Sequence, residues 1–233
     1  MVIAGIVAGG VGSRMGNSKK PKQFIEIGGK PIVIHTIEKF LSCEGITGIV
    51  IGVHREWLQF MEDLMEKFDI DQERTVVVTG GDNRNETIYN IIEKSKEIWA
   101  VTLDTIFVTH DAVRPFVSFK IIQDNIIAAQ KYGVCDTVYP ASDTVVQSTN
   151  HEFITDIPRR DEMYQGQTPQ SFKYELFKMV YESMTDEELN IITDACKMFY
   201  LRKQPVYLVM GDVSNFKITY PFDLNVAKVM LGG

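Results

Sequence analysis

The sequence predicts an α/β fold: a Rossmann-like, mostly parallel sheet covered by helices on both faces, with a protruding β-hairpin arm. Three observations carry this. Compact apolar runs of strand length alternate with longer segments whose apolar residues recur three and four apart. The runs lack the alternation of a half-exposed strand, so both faces of the sheet are covered. Strand-helix alternation calls for right-handed crossovers, which make neighbouring strands parallel.

The elements follow in order. VIAGIVA, from Val2, is the first strand, and PIVIHTIEKFL is an amphipathic helix with Pro31 suited to its first turn. GIVIGV from Gly48 and WLQFMEDLMEKF form the next pair. RTVVVT from Arg74 precedes NETIYNIIEKSKEIW, where Asn83 and Glu86 have the spacing of an N-cap and its partner. DTIFVTH from Asp104 leads to FKIIQDNIIAAQKY, and PVYLVM from Pro205 is a late strand. Between about 139 and 161 the rhythm breaks into two strand-like pieces, TVVQST and EFITDI, around Asn150, which read as a hairpin arm. No repeat, low-complexity tract or linker divides the chain, so residues 1–233 are expected to form one domain.

Composition narrows the function. A formal net charge of −7 opposes general affinity for nucleic acid or anionic lipid, so any anion binding must be local. The three cysteines, Cys43, Cys135 and Cys196, are far apart and form no C-x-x-C pattern, which points to buried thiols in a reducing compartment. No apolar run has the length of a membrane span and no signal peptide opens the chain, so a cytoplasmic location is expected.

In a doubly wound sheet, ligands bind beyond the carboxyl ends of the strands. The first such loop, AGGVGSRMGNSKKPKQF from Ala8, combines glycines that let backbone N–H groups approach a ligand with Arg14, Lys19, Lys20 and Lys22. It suits a polyphosphate, and a solvated flexible loop is the alternative. It is no P-loop, and Met15 stands where a dinucleotide fingerprint has its third glycine. The second loop, TGGDNRNET, exposes backbone at Gly80 and Gly81 and offers Asp82, Arg84 and Thr87 beside a helix start. Taken alone, it reads as a tight strand-helix turn. The third, HDAVRPF, places Asp111 to hold a divalent cation or a polar substrate and Arg114 to bind phosphate. An internal Asp111–Arg114 ion pair is the alternative there. His110 is given no chemistry.

AGGVGSRMG, PKQF, GGDNR, HDAVRPF, TPQSF, TDA and NFKIT, in this order and spacing, resemble the cytidylyltransferase family that makes CDP-activated polyol phosphates. The resemblance covers nearly the whole chain and implies a fold of nucleotidyltransferase type. It implies that Arg14, Lys22 and Lys217 are catalytic cations, with Lys19 and Lys20 left as solvated charges. Ala8, Gly9 and Gly10 would lie along the nucleotide, and Gly81, Asp82 and Thr87 near the cytosine and ribose. Asp111, Arg114, Thr144, Arg160, Thr168 and Thr193 would bind the acceptor, with Asp111 also at a Mg²⁺ ion. Arg160 is expected to reach from the arm into the neighbouring subunit of a homodimer.

The implied reaction joins CTP to a polyol phosphate. YQGQTPQ, HDAVRPF and TDACKMF look more like the enzymes that act on D-ribitol 5-phosphate, for teichoic-acid or capsule synthesis. Those acting on 2-C-methyl-D-erythritol 4-phosphate, for isoprenoid synthesis, are the alternative. A NAD(P)-dependent oxidoreductase is opposed by the failed fingerprint. A non-catalytic CTP-binding regulator would not need Arg14, Lys22 and Lys217 together.

Overall fold

The computed structural model describes residues 1–10, 20–192 and 194–232. Its main sheet has seven strands in the order β5-β4-β1-β6-β8-β7-β9. These are β1 (Val2–Ala8), β4 (Gly48–Val53), β5 (Thr75–Thr79), β6 (Ile106–Asp111), β7 (Val134–Pro140), β8 (Tyr164–Lys173) and β9 (Tyr207–Met210). Two short strands, β2 (Glu26–Ile27) and β3 (Lys30–Pro31), pair antiparallel beside it. β8 runs against both its neighbours, and every other pairing in the main sheet is parallel.

Two cores explain why the strand runs are continuously apolar. Val2, Ala4, Ile6 and Ala8 of β1 face α1 (Ile32–Leu41), α2 (Leu58–Lys67) and α4 (Phe119–Tyr132), packing with Ile37, Phe40, Met61, Leu64, Ile122 and Ala129. Ile3, Val50 and Phe107 point the other way. They meet α3 (Arg84–Ile98), α5 (Tyr174–Glu182) and α7 (Ala195–Leu201) through Ile88, Ile91, Phe177 and Phe199. Successive residues of a strand thus serve opposite layers. Two further helices complete the order, α6 (Asp186–Ile191) and α8 (Pro221–Met230).

Three expectations are corrected. PVYLVM is not covered on both faces: β9 is an edge strand in which only Val209 is buried, while Tyr207, Leu208 and Met210 are exposed. TVVQST and EFITDI do not form two strands. They meet in one antiparallel bridge, Gln147 to Asp156, with Asn150 Oδ1 accepting from Glu152 and Phe153 N–H at the turn. Pro31 is the residue before α1 rather than part of its first turn.

Asn83 caps α3 as its spacing predicts, its side chain accepting from Glu86 N–H at 2.9 Å. The reciprocal bond slips by one residue, because Glu86 Oε2 accepts from Asp82 N–H instead.

Candidate active site

The carboxyl ends of β1, β5 and β6 surround a cleft of about 310 Å³. Its walls include Ala8, Gly9, Gly10, Lys22, Gly81, Asp82, Thr87, Asp111 and Lys217, and also Gln23 and Arg84. Described residues of all three loops singled out in the sequence, the third through Asp111 at the end of β6, and the distant Lys217 therefore meet at one place. Arg14 and Thr193 lie outside the described residues.

Each wall has a local cause. Gln23 sits in a 3₁₀ turn, is fully buried, and donates from Nε2 to the carbonyls of Ala8 (2.7 Å) and Gly10 (2.9 Å). It fixes the exit of β1 while Lys22, beside it, lines the cleft. Lys20, by contrast, is exposed with its Nζ 4.7 Å from the centre of the Phe60 ring.

On the second loop, buried Thr87 donates to Asn83 O at 2.9 Å and accepts from Gly81 N–H at 3.1 Å. A side chain at Gly81 would collide with Glu86, whose Cγ would lie 2.3 Å from the new Cβ. The loop can follow this path because Gly81 has none.

Asp111 is the electrostatic centre. Its Oδ1 meets Arg84 Nη2 at 3.2 Å, and its Oδ2 meets Lys217 Nζ at 3.0 Å and Arg114 Nε at 3.4 Å. Burial disfavours its charge, but Arg84, Lys217 and Arg114 overcome that penalty and hold the carboxyl well below the usual carboxylate range. Arg114 is itself buried, donates from Nη1 to Asn215 O at 2.8 Å, and loses some basicity to burial. The internal ion pair is therefore what this geometry displays for Arg114.

His110 and Thr168 brace this centre. The carbonyl of Arg114 can only accept, so His110 Nε2, 3.0 Å away, carries the proton. Nδ1 then accepts from Thr168 Oγ1 (3.0 Å), which in turn accepts from Asp111 N–H (3.2 Å). Burial lowers the His110 pKa to about 4, consistent with a neutral ring. Thr168 is buried within this chain of bonds, whereas Thr144 and Arg160 are exposed on the arm.

A divalent metal held directly by Asp111 does not fit this arrangement, since both carboxylate oxygens already face cations.

Sequence reasoning did not single out Gln23 or Asn215. Asn215 is fully buried and donates to Thr168 O (2.8 Å) and Gln167 Oε1 (3.1 Å) two residues before Lys217. Both lay inside quoted motifs, PKQF and NFKIT, where the neighbouring lysine drew the attention.

A mostly parallel sheet whose carboxyl edge holds a glycine-lined cleft ringed by Lys22, Arg84 and Lys217 defines a nucleotide-binding transferase. The family described as "IspD: 2-C-methyl-D-erythritol 4-phosphate cytidylyltransferase" matches residues 2–233. Ribitol-5-phosphate cytidylyltransferase of Streptococcus pneumoniae serotype 2 is 50% identical over 232 residues, 99% of each chain. The protein of that name from serotype 4 matches equally. The crystal structure of 4-diphosphocytidyl-2C-methyl-D-erythritol synthase from Anaerococcus prevotii superposes with a TM-score of 0.80 at 28% identity, covering 100% of this chain and 96% of that one. Francisella tularensis 2-C-methyl-D-erythritol 4-phosphate cytidylyltransferase shares the fold, with a TM-score of 0.81 at 24% identity over 98% of both chains. The chain belongs to the IspD family and is a cytidylyltransferase. Among the described residues, no helix is long and apolar enough to cross a membrane.

Proposed function

We infer that this cytidylyltransferase converts CTP and D-ribitol 5-phosphate to CDP-ribitol and pyrophosphate, supplying an activated polyol for teichoic-acid or capsule polymers in the cytoplasm. The observation that carries the acceptor is the 50% identity, over 99% of both chains, to relatives named for ribitol 5-phosphate.

An acceptor phosphate oxygen attacks the α-phosphorus of CTP. The new O–P bond forms as the bond to the bridging oxygen of pyrophosphate breaks, and that oxygen leaves with the electron pair. Little covalent help is needed; the task is to hold two polyanions in line and offset the charge that builds on the α-phosphoryl and leaving oxygens. Arg14 and Lys22 are assigned to that charge, and Lys217 to orienting the attacking phosphate. The backbone of Ala8, Gly9 and Gly10 follows the triphosphate, and Gly81, Asp82 and Thr87 face the cytidine. Asp111 keeps Lys217, Arg84 and Arg114 together, so three cations share one buried counter-charge.

Thr144, Thr168, Thr193 and Arg160 complete the acceptor side, Arg160 reaching from the arm of one subunit into the site of the other. In this reading the chain is one catalytic domain and works as a homodimer. A Mg²⁺ ion, supplied with the nucleotide, would offset triphosphate charge that Arg14 and Lys22 do not.

Pyrophosphate release from CTP with each acceptor tests the assignment. D-ribitol 5-phosphate should exceed 2-C-methyl-D-erythritol 4-phosphate by about tenfold or more in kcat/KM, or roughly 1.4 kcal/mol of transition-state binding. The reverse preference, which the family's description favours, would leave the CTP site standing and replace the acceptor.

A further inference from the structure

Beside Arg84, on the face of the sheet covered by α3 and α7, lies a second polar cluster. Gln170 of β8 is wholly buried, and its Nε2 donates to two carboxylates at once, Asp136 Oδ1 at 3.0 Å and Asp194 Oδ2 at 2.7 Å. Asp194 commits its other oxygen to the first turn of α7, accepting from Cys196 and Lys197 N–H. Asp136 is oriented differently. The register of β7 on β8 slips between Asp136, paired with Gln170, and Val138, paired with exposed Gly166. A Cβ built there would lie in van der Waals contact with Asp136 Oδ2, at 4.0 Å, so a larger side chain at 166 would crowd that oxygen. Such bulges commonly re-aim a side chain beside a site.

Three features describe what this opening accepts. Gln170 Oε1 is a buried acceptor with no partner among the described residues, and Arg84 Nη1 is a buried donor in the same condition. Arg84 also links the cluster to the cleft: Nη2 holds Asp111, while its charge acts on Asp136. Asp136 and Asp194 line a groove that continues to Tyr200 and Lys203. Asp136, Asp194 and Cys196 could bring ligand atoms within 4.8 Å of one another. A cation there would nevertheless face Gln170 amide protons and the Arg84 charge, whereas hydroxyls both donate and accept and suit the whole set.

We propose that Asp136, held by Gln170, is a specificity-determining residue that accepts hydrogen bonds from the hydroxyls of the acceptor's polyol chain. The proposal rests on the reading of the acceptor as a polyol phosphate. It places the phosphate at Lys217 and the chain beyond Arg84. A site built to receive O–H groups discriminates against an analogue that lacks them, because its buried acceptors are then left unpaired.

The test is a steady-state comparison of the enzyme with Asp136→Asn, which keeps the oxygen that Gln170 holds and turns the outer one into a donor. KM for D-ribitol 5-phosphate should rise by about tenfold or more, as loss of a built hydroxyl contact implies. KM for CTP, and Ki for glycerol 3-phosphate as a shorter competitive inhibitor, should change less than about twofold. Gly166→Val, which crowds Asp136 Oδ2 without replacing a carboxylate, should reproduce the split and covers the case in which Asp136→Asn misfolds. An unchanged KM for ribitol phosphate, or equal rises for all three ligands, overturns the proposal. No turnover of ribitol phosphate by the unaltered enzyme instead removes the acceptor reading, and this proposal with it.

Discussion

Lys217 Nζ stands 3.0 Å from Asp111 Oδ2, an oxygen that Arg114 Nε approaches to 3.4 Å from the other side. One carboxylate thus gathers Arg84, Arg114 and Lys217 at a single point. Replacing it should expose how much the site depends on a single negative charge. Asp111→Asn keeps the size and the backbone N–H bond to Thr168, yet leaves Arg84, Arg114 and Lys217 facing one another. Removing one partner from such a buried cluster costs about 3–5 kcal/mol. Urea unfolding should show a loss of that order, and a variant as stable as the parent would mean that the cations rearrange freely.

Catalysis should fail differently at the glycine loop. Arg14→Ala and Lys22→Ala are each expected to lower kcat by about a hundredfold or more, the usual scale for losing a group that stabilises transition-state charge. Lys22 belongs to neither apolar core, so the thermal transition of its variant should stay near that of the parent. Near-normal turnover in either variant would remove that residue from the catalytic set.

The arm can be tested by subunit mixing. It exposes Val146, Phe153, Ile154 and Ile157, which a partner's surface would cover. If Arg160 acts across the interface, an inactive Lys22→Ala dimer mixed with an inactive Arg160→Ala dimer should recover activity, because one hybrid site holds both residues intact. Hybrids that form without regaining activity would place Arg160 in its own subunit's site or outside catalysis.

A pH effect follows from Asp136. Burial first, and the Asp194 carboxylate second, push its carboxyl up from 3.8 to about 7. Between these values the unfolded chain has lost the proton while the folded one keeps it, so stability falls as pH rises through the window and levels above about 7. Asp136→Asn abolishes this contribution. The Tm of the variant minus that of the parent should therefore climb from pH 4 to pH 7 and then flatten. A flat difference would mean that Asp136 titrates normally. His110, with its pKa lowered to about 4 by burial, acts with the opposite sign but is present in both proteins and cancels.

How far the sequence disclosed this arrangement depended on whether local pattern and tertiary context agreed. β1, β4 and β6 were legible because their two buried faces leave a continuous apolar run. β8 was not: YQGQTPQSFK is polar and contains a proline, which mid-sheet strands normally exclude. The structure accommodates Pro169 at the register slip against β7, where Thr137 Oγ1 donates to its carbonyl at 2.6 Å. In the site, the glycines, Lys22 and Asp111 announced themselves by type and by position after strands. Gln23, Asn215 and the Asp136–Gln170 contact did not, because a buried amide satisfied by partners distant in the sequence leaves no periodic trace.

The reversed direction of β8 has a practical meaning. Running against β6, the strand carries its middle, not its end, past the carboxyl terminus of that neighbour, so Thr168 reaches Asp111, and Gln170 reaches Asp136 of β7, from within the hydrogen-bonded lattice. The nucleotide side of the proposed site is made largely of turns, which lengthen or shorten at little expense to the fold. On the proposed acceptor side, Thr168 and Asp136 are woven into the sheet, while Thr144 and Arg160 lie on the arm. Re-engineering this catalyst for another alcohol phosphate therefore calls for exchanging side chains at those fixed lattice points as well as altering the arm, and grafting new nucleotide loops would leave that selectivity untouched.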